Sequence, residues 1–134
     1  MNLWLRPMAA LVFFATLLPA QSKVERGRYL AEEAARCQEC HTPRLPGGGF
    51  DRSKWMKGAV LDIKPLEPIE NWKKTAPDLT RSSRLWLKWG DLALLNYLKT
   101  GKGPGGKVSA RPMPAYTFKH EDADAIVEYL RSLP

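Results

Sequence analysis

The sequence has few of the side chains from which disulfide frameworks and zinc sites are built. Its 134 residues include two cysteines and two histidines. Two cysteines allow at most one disulfide. A structural zinc site needs four ligands and usually combines two separated pairs, but His120 is the only other histidine besides His41. This scarcity argues against a disulfide scaffold and against a zinc module.

Long apolar runs are also missing. The stretch from Met8 to Leu18 is well short of the roughly 20 residues that a membrane-spanning helix needs. It follows Arg6 and precedes the small residues around Ala20 that signal peptidases accept. Residues 1–20 are therefore predicted to be a cleaved signal peptide, with cleavage after Ser22 as the alternative. The protein is expected to be exported, for example to the periplasm, with no stable membrane insertion after cleavage.

The mature domain is predicted to comprise residues 21–134 and to begin with a helix. Ser22 and Glu25 have the spacing of a capping box, in which each side chain accepts a hydrogen bond from the other residue's backbone. Because cleavage after Ser22 would remove this cap, cleavage after Ala20 is favoured. A glycine within a helix costs about 1 kcal/mol relative to alanine. Gly27, within the helix predicted over Lys23 to Arg36, is therefore expected to mark a close crossing with another helix. The small residues Ala31 and Ala34 and the residue Val24 are predicted to lie on the same face.

Two further helices are predicted, and no strand. Asp91 to Thr100 lies between two glycines, and Leu92, Leu95 and Leu98 with Tyr97 are predicted to form its apolar face. A last helix has acidic residues from Glu121 onward in its first turn and Arg131 in its last. The residues expected to form its buried stripe are Ala123, Ile126, Val127 and Leu130. The segments between helices contain many prolines and glycines, and no internal repeat or alternating pattern occurs. The predicted fold class is all-α, with short helices and long loops.

The charge is basic, with a formal value of +7. Removing the predicted leader, which has one basic and no acidic residue, leaves +6. The cations are scattered among tryptophans, prolines and glycines and form no run, so nucleic acid is not expected as a partner. The pattern favours a solvated surface that is biased toward an acidic docking surface on a protein partner.

The motif from Cys37 to His41 carries the chemistry. Two cysteines three residues apart share one face of a helix end, so their thiols can both add to the vinyl groups of one haem, and His41 can reach the iron. A thioredoxin-like pair would need a βαβ context, which the sequence lacks. A disulfide would close a very short loop and leave His41 without a role. The motif therefore predicts one covalently attached c-type haem, with iron.

Several stretches resemble the class I cytochrome c superfamily, and within it bacterial periplasmic monohaem cytochromes with a CHTPR-type motif. These stretches include Arg26 to Leu30, Cys37 to Arg44, Ala76 to Thr80, Pro112 to Tyr116 and Ala125 to Leu133. The resemblance implies a small cytochrome c fold around one haem, in which the first and last helices cross. It agrees with the interpretation of Gly27, with Tyr129 or Leu130 as its expected neighbour.

Met113 is predicted to be the second axial ligand. It lies between two prolines, before the last helix, where the resembled family has its ligand methionine. Pairing of methionine with histidine is the pattern of cytochromes c. Met56 and His120 are the weaker alternatives. His41 should donate its second ring nitrogen to a backbone carbonyl that the sequence does not identify. The candidates for binding the haem propionates are Trp55, Trp72, Arg44 and Arg52.

These features predict an electron-transfer protein with no catalytic residue. It would act as a free periplasmic shuttle or as the cytochrome subunit of a dehydrogenase or oxidase. Its partners would be redox proteins: a dehydrogenase, an oxidase or another cytochrome. The alternative is a haem protein with a labile sixth ligand that binds gas, senses or has minor peroxidase activity. Met113 argues against that alternative, because it would fill the open position.

Overall fold

The computed structural model describes residues 21–134, so the predicted signal peptide lies outside the described residues. We number the α-helices and β-strands in chain order. The elements are α1 (Lys23–Tyr29), a π-helical segment (Leu30–Ala34), α2 (Gln38–His41), a 3-10 turn (Arg52–Lys54), β1 (Ala59–Val60), β2 (Thr75–Ala76), α3 (Arg84–Thr100), a second 3-10 turn (Pro104–Gly106) and α4 (His120–Ser132).

The first helix begins at the predicted cap. The Ser22 backbone N–H donates to the Glu25 carboxylate at 2.9 Å, and the Glu25 N–H donates to the Ser22 hydroxyl at 3.2 Å. The helix then widens, since the Ala35 N–H donates to the Leu30 carbonyl five residues earlier. This π-helical segment turns Ala34 outward and leaves it exposed, although the sequence pattern had placed it on the packed face.

The close crossing expected at Gly27 is confirmed, and its partner is α4. A Cβ atom added to Gly27 would lie 1.9 Å from the Ala125 carbonyl oxygen and 2.8 Å from the Tyr129 Cβ. No side chain fits that gap, so α1 and α4 approach each other backbone to backbone. Tyr129 is one of the two neighbours that the sequence suggested.

The last helix buries the predicted stripe, since Ala123, Ile126, Val127 and Leu130 are all buried. It packs on α1 on one side and on α3 on the other. The hydrophobic core therefore lies where these three helices meet, with the fully buried Met56 contributed by the loop after α2.

Helix α3 is longer than predicted. It begins at Arg84 because the Ser83 hydroxyl accepts a hydrogen bond from the Trp86 N–H at 3.3 Å. The helix is interrupted at Gly90, whose φ of 68° and ψ of 175° are not helical. The expected start at Asp91 thus marks the second part of α3. Leu92, expected on the apolar face, is 75% exposed.

The strands β1 and β2 were not predicted. They pair antiparallel, Ala59 with Ala76 and Val60 with Thr75. Two-residue strands are too short to carry an alternating pattern, so the sequence gives no signal for them. The described residues are otherwise mostly helix and loop, which confirms the predicted fold class. None of the helices in residues 21–134 is long and apolar enough to cross a membrane.

Candidate functional site

A deep apolar cleft opens beside α2 and extends into the core. The space between its walls is about 1020 Å³, part of it open to solvent. Its walls come from α2, β2, α3, α4 and the loop before α4. Among the lining residues are Cys37, Cys40, His41, Pro77, Leu79, Leu94, Leu98, Met113, Ile126 and Leu130.

The two cysteines face this cleft as free thiols. Cys37 is the residue before α2, and its carbonyl accepts hydrogen bonds from the Cys40 N–H at 3.2 Å and the His41 N–H at 2.9 Å. Burial raises the pKa of the Cys37 thiol to about 11 and also raises the pKa of Cys40. Both groups are therefore protonated at neutral pH, unlike the low-pKa thiolate of a redox pair.

His41 is 4% exposed and lines the same cleft. Its Nδ1 lies 2.8 Å from the Pro77 carbonyl oxygen, which can only accept, so Nδ1 carries the proton. Burial lowers the pKa of His41, although the hydrogen bond to Pro77 opposes this. The imidazole is thus neutral, and Nε2 retains the lone pair that can bind a metal.

The segment around Pro77 is held in place by backbone hydrogen bonds. The Gly58 N–H donates to the His41 carbonyl at 2.8 Å, and Gly58 leads directly into β1, which pairs with β2 just before Pro77. On the other side, the Leu79 N–H donates to the Met56 carbonyl at 2.8 Å. The acceptor for His41 is therefore fixed by a small hydrogen-bonded frame.

Met113 reaches the cleft from the loop before α4. It is half-buried, and its N–H donates to the Ala110 carbonyl at 3.2 Å. The neighbouring Arg111 carbonyl accepts a hydrogen bond from the Lys73 N–H at 2.7 Å. The structure thus brings Met113 to the same cleft as the Cys37 to His41 motif, about 70 residues earlier in the chain.

The two weaker candidates for the axial position lie elsewhere. Met56 is fully buried in the core and does not line the cleft. His120 is exposed at the start of α4. Within residues 21–134 there is also no group of three or more histidine, cysteine, aspartate or glutamate side chains that could hold a metal ion.

The suggested propionate partners do not line the cleft, so that expectation receives no support. They are Trp55, Trp72, Arg44 and Arg52. The Trp55 indole N–H instead donates to the Glu32 carboxylate at 3.2 Å and to the Tyr129 hydroxyl at 3.1 Å. The polar lining that sequence reasoning missed comes from Lys73, Thr75 and Tyr97. Lys73 is the only lysine or arginine that lines the cleft among residues 21–134, and its position in the sequence gave no indication of this.

The cytochrome c family model matches residues 24–134, which is nearly the whole described chain. The chain therefore belongs to the cytochrome c family. It is an electron-transfer protein, and the family implies a covalently bound haem c.

Three relatives illustrate the likeness. The chain is 40% identical over 117 residues to the fructose dehydrogenase cytochrome subunit of Gluconobacter japonicus, covering 81% of this chain and 22% of that protein. It is 35% identical over 115 residues to a diheme cytochrome c-type protein of Cereibacter sphaeroides, covering 82% of this chain and 35% of that protein. It is 30% identical over 144 residues to the cytochrome c subunit of a quinone alcohol dehydrogenase of Gluconobacter oxydans, covering 98% of this chain and 29% of that protein. The chain thus spans between about a fifth and a third of these relatives.

Proposed function

We propose that residues 21–134 form a one-electron carrier with a single haem, attached through Cys37 and Cys40 and ligated by His41 and Met113. The observation that carries the proposal is the convergence of these four side chains on one apolar cleft. When bound, the haem supplies an iron that accepts and releases one electron. The donor set fits this group: two free thiols one helical turn apart, a neutral imidazole and a thioether.

Attachment requires each cysteine to form a thioether. The sulfur bonds to one vinyl carbon and the thiol proton goes to the other, so the addition is redox-neutral. The sequence has only these two cysteines, which is why we propose one haem for this chain.

His41 and Met113 would give the iron the same ligands in both oxidation states. The Pro77 carbonyl fixes the tautomer and orientation of the His41 imidazole. The Met113 thioether is a soft ligand that favours the ferrous form and raises the reduction potential. The apolar walls of the cleft would limit the access of water to the haem, which acts in the same direction.

Attachment can be tested by the mass of the denatured protein after maturation with haem. The wild type should gain the mass of one haem, and the Cys37→Ala, Cys40→Ala double variant should gain none. Ligation can be tested by the absorption spectrum of the ferric protein. We expect the weak far-red sulfur-to-iron band in the wild type and its loss in Met113→Leu, which keeps the side-chain volume nearly constant.

Met56→Leu is the matched control, because Met56 lies in the core and not in the cleft. This variant should keep the far-red band. Loss of the band in Met56→Leu and its retention in Met113→Leu would reverse the assignment of the ligand.

We further propose that the carrier works in the periplasm, as a free shuttle or as the cytochrome subunit of a dehydrogenase or oxidase. Two of the relatives are cytochrome subunits of dehydrogenases, which supports the second role. Residues 1–20 would be the signal peptide, and residues 21–134 the mature domain. The mass of the protein recovered from the periplasm tests this, because cleavage after Ala20 and cleavage after Ser22 give different masses. Recovery of the full-length chain would contradict the prediction of a cleaved signal peptide.

A further inference from the structure

The loop that bears Met113 is held unequally on its two sides. Before Met113, backbone hydrogen bonds tie the loop down, from Ser109 to Gly101 at 3.3 Å and from Lys73 to Arg111 at 2.7 Å. After Met113, the next backbone hydrogen bond is that from the Phe118 N–H to Leu98. Between these points the described structure has one hydrogen bond, made by the side chain of Tyr116.

The Tyr116 hydroxyl donates to the Ala35 carbonyl at 3.0 Å, across 81 residues of sequence. Ala35 ends the π-helical segment, where carbonyl oxygens lose their partners within the helix. It also lies two residues before Cys37, whose N–H donates to the Ala31 carbonyl at 2.8 Å. The hydrogen bond therefore links the Met113 loop directly to the segment that carries the haem-attachment motif.

The ring of Tyr116 is held as well as its hydroxyl. It is half-buried and stacks on Phe118, with ring centroids 5.1 Å apart and planes at 21°. Burial, and after it the neighbouring Cys37, raises the pKa of Tyr116 to about 12. The hydroxyl is therefore a proton donor throughout the physiological range.

We propose that Tyr116 is a positioning residue that keeps Met113 in the cleft. By fastening the loop to Ala35, it limits how readily Met113 gives up the axial position to another ligand. The proposal rests on Met113 being that ligand, as argued above. The Tyr116 hydroxyl would not decide whether Met113 binds the iron. It would decide how easily another ligand replaces Met113.

The test compares Tyr116→Phe, which keeps the stacked ring and removes the hydroxyl, with Tyr29→Phe at an exposed tyrosine. Imidazole is titrated into the ferric, haem-loaded proteins, and its dissociation constant is read from the loss of the far-red band. Loss of one hydrogen bond should tighten imidazole binding about three- to tenfold in Tyr116→Phe. Tyr29→Phe should match the wild type.

A second readout separates positioning from general stability. On heating, Tyr116→Phe should lose the far-red band at a lower temperature than the wild type. The unfolding of the helices, followed by circular dichroism, should occur at nearly the same temperature in both proteins. Equal imidazole affinity in the two variants, or a parallel fall of band and helical signal, would overturn the proposal. Failure of Tyr116→Phe to fold would also overturn it, because the hydroxyl would then serve the whole fold. A wild type without the far-red band would refute the ligand assignment itself, and this inference with it.

Discussion

The Nδ1 atom of His41 and the carbonyl oxygen of Pro77 lie 2.8 Å apart, although 36 residues separate them in the chain. This hydrogen bond joins the Cys37 to His41 motif to the residue that directly follows β2. The sequence predicted a backbone carbonyl as the acceptor but not its position, because such a contact depends on how the loop returns to α2. The geometry of the histidine thus depends on residues far from it in sequence.

Gly58→Ala tests the frame that holds this carbonyl. Gly58 has a φ of 84°, and an added Cβ would lie 2.7 Å from the Ala76 carbonyl oxygen. Gly49→Ala is the control, because Gly49 has a φ of 76° and open space around it. This substitution has only the cost of a left-handed backbone at a residue other than glycine, about 1–2 kcal/mol. We expect Gly58→Ala to lower the free energy of unfolding by about 1–3 kcal/mol more than Gly49→Ala in denaturant titrations. Equal effects would mean that the contact with Ala76 is unimportant.

Gly27→Ala tests the crossing of α1 and α4. Alanine is intrinsically better than glycine in a helix by about 1 kcal/mol, so any loss of stability must come from the clash with the Ala125 carbonyl oxygen. We expect a net loss of about 2–3 kcal/mol, measured by chemical unfolding of the haem-loaded protein. Gly47→Ala, which meets no atom within 4 Å, should be nearly neutral. A stabilised Gly27→Ala would contradict the crossing.

Tyr129 should make the fold sensitive to alkali. Its hydroxyl donates to the Glu32 carboxylate, and burial followed by this contact raises the pKa of Tyr129 above its ordinary value of about 10. A raised pKa means that the neutral hydroxyl stabilises the fold fully below about pH 10, and that this stabilisation is lost as the pH rises further.

The free energy of unfolding can be measured from pH 8 upward by denaturant titration followed by circular dichroism. Above about pH 10 it should fall less steeply in Tyr129→Phe than in the wild type. At neutral pH the variant should be less stable by about 1–2 kcal/mol, since a hydrogen bond to a charged group is lost. Tyr29→Phe, at an exposed tyrosine, should keep the wild-type profile. An unchanged alkaline slope in Tyr129→Phe would show that the pair does not couple folding to pH.

The basic surface should be visible in electron-transfer rates with small reagents. The formal charge is +7 for the whole sequence and +6 without the predicted leader, and the exposed residue Lys73 lines the cleft. Reduction of the ferric protein by ferrocyanide, an anion, should slow as ionic strength rises, and oxidation of the ferrous protein by a cationic cobalt complex should accelerate.

Lys73→Gln should weaken the ionic-strength dependence of the rate of reduction by ferrocyanide about twofold. Lys119→Gln, at an exposed lysine outside the cleft, should change this dependence little. If both reagents showed the same salt dependence, the expectation of a partner with an acidic docking surface would lose its support.

Local signals in the sequence were sufficient for much of the fold. The Ser22 cap, the close approach at Gly27 and the buried stripe of α4 each follow from neighbouring residue types, and each is present in the structure. The outward turn of Ala34 was missed because a single π-helical turn leaves no mark in apolar spacing. The start of α3 was missed because the break at Gly90 looks like a helix boundary.

The candidate site divides in the same way. Cys37, Cys40 and His41 could be predicted because they lie within one short motif, and Met113 because its position between two prolines matches that of the ligand methionine in the resembled family. Pro77, Lys73 and Tyr116 contribute through contacts made only after folding, and a single sequence does not encode these in its spacing. Trp55, one of the suggested propionate partners, does not line the cleft, and its indole N–H has partners on the π-helical segment and on α4.

Exposure of the reduced, haem-loaded protein to carbon monoxide tests the central claim most directly. If His41 and Met113 occupy both axial positions, the ferrous spectrum should stay unchanged over minutes, and Met113→Leu should bind carbon monoxide rapidly. Rapid, saturating binding by the wild type would mean an open or labile sixth position and would contradict the electron-carrier account.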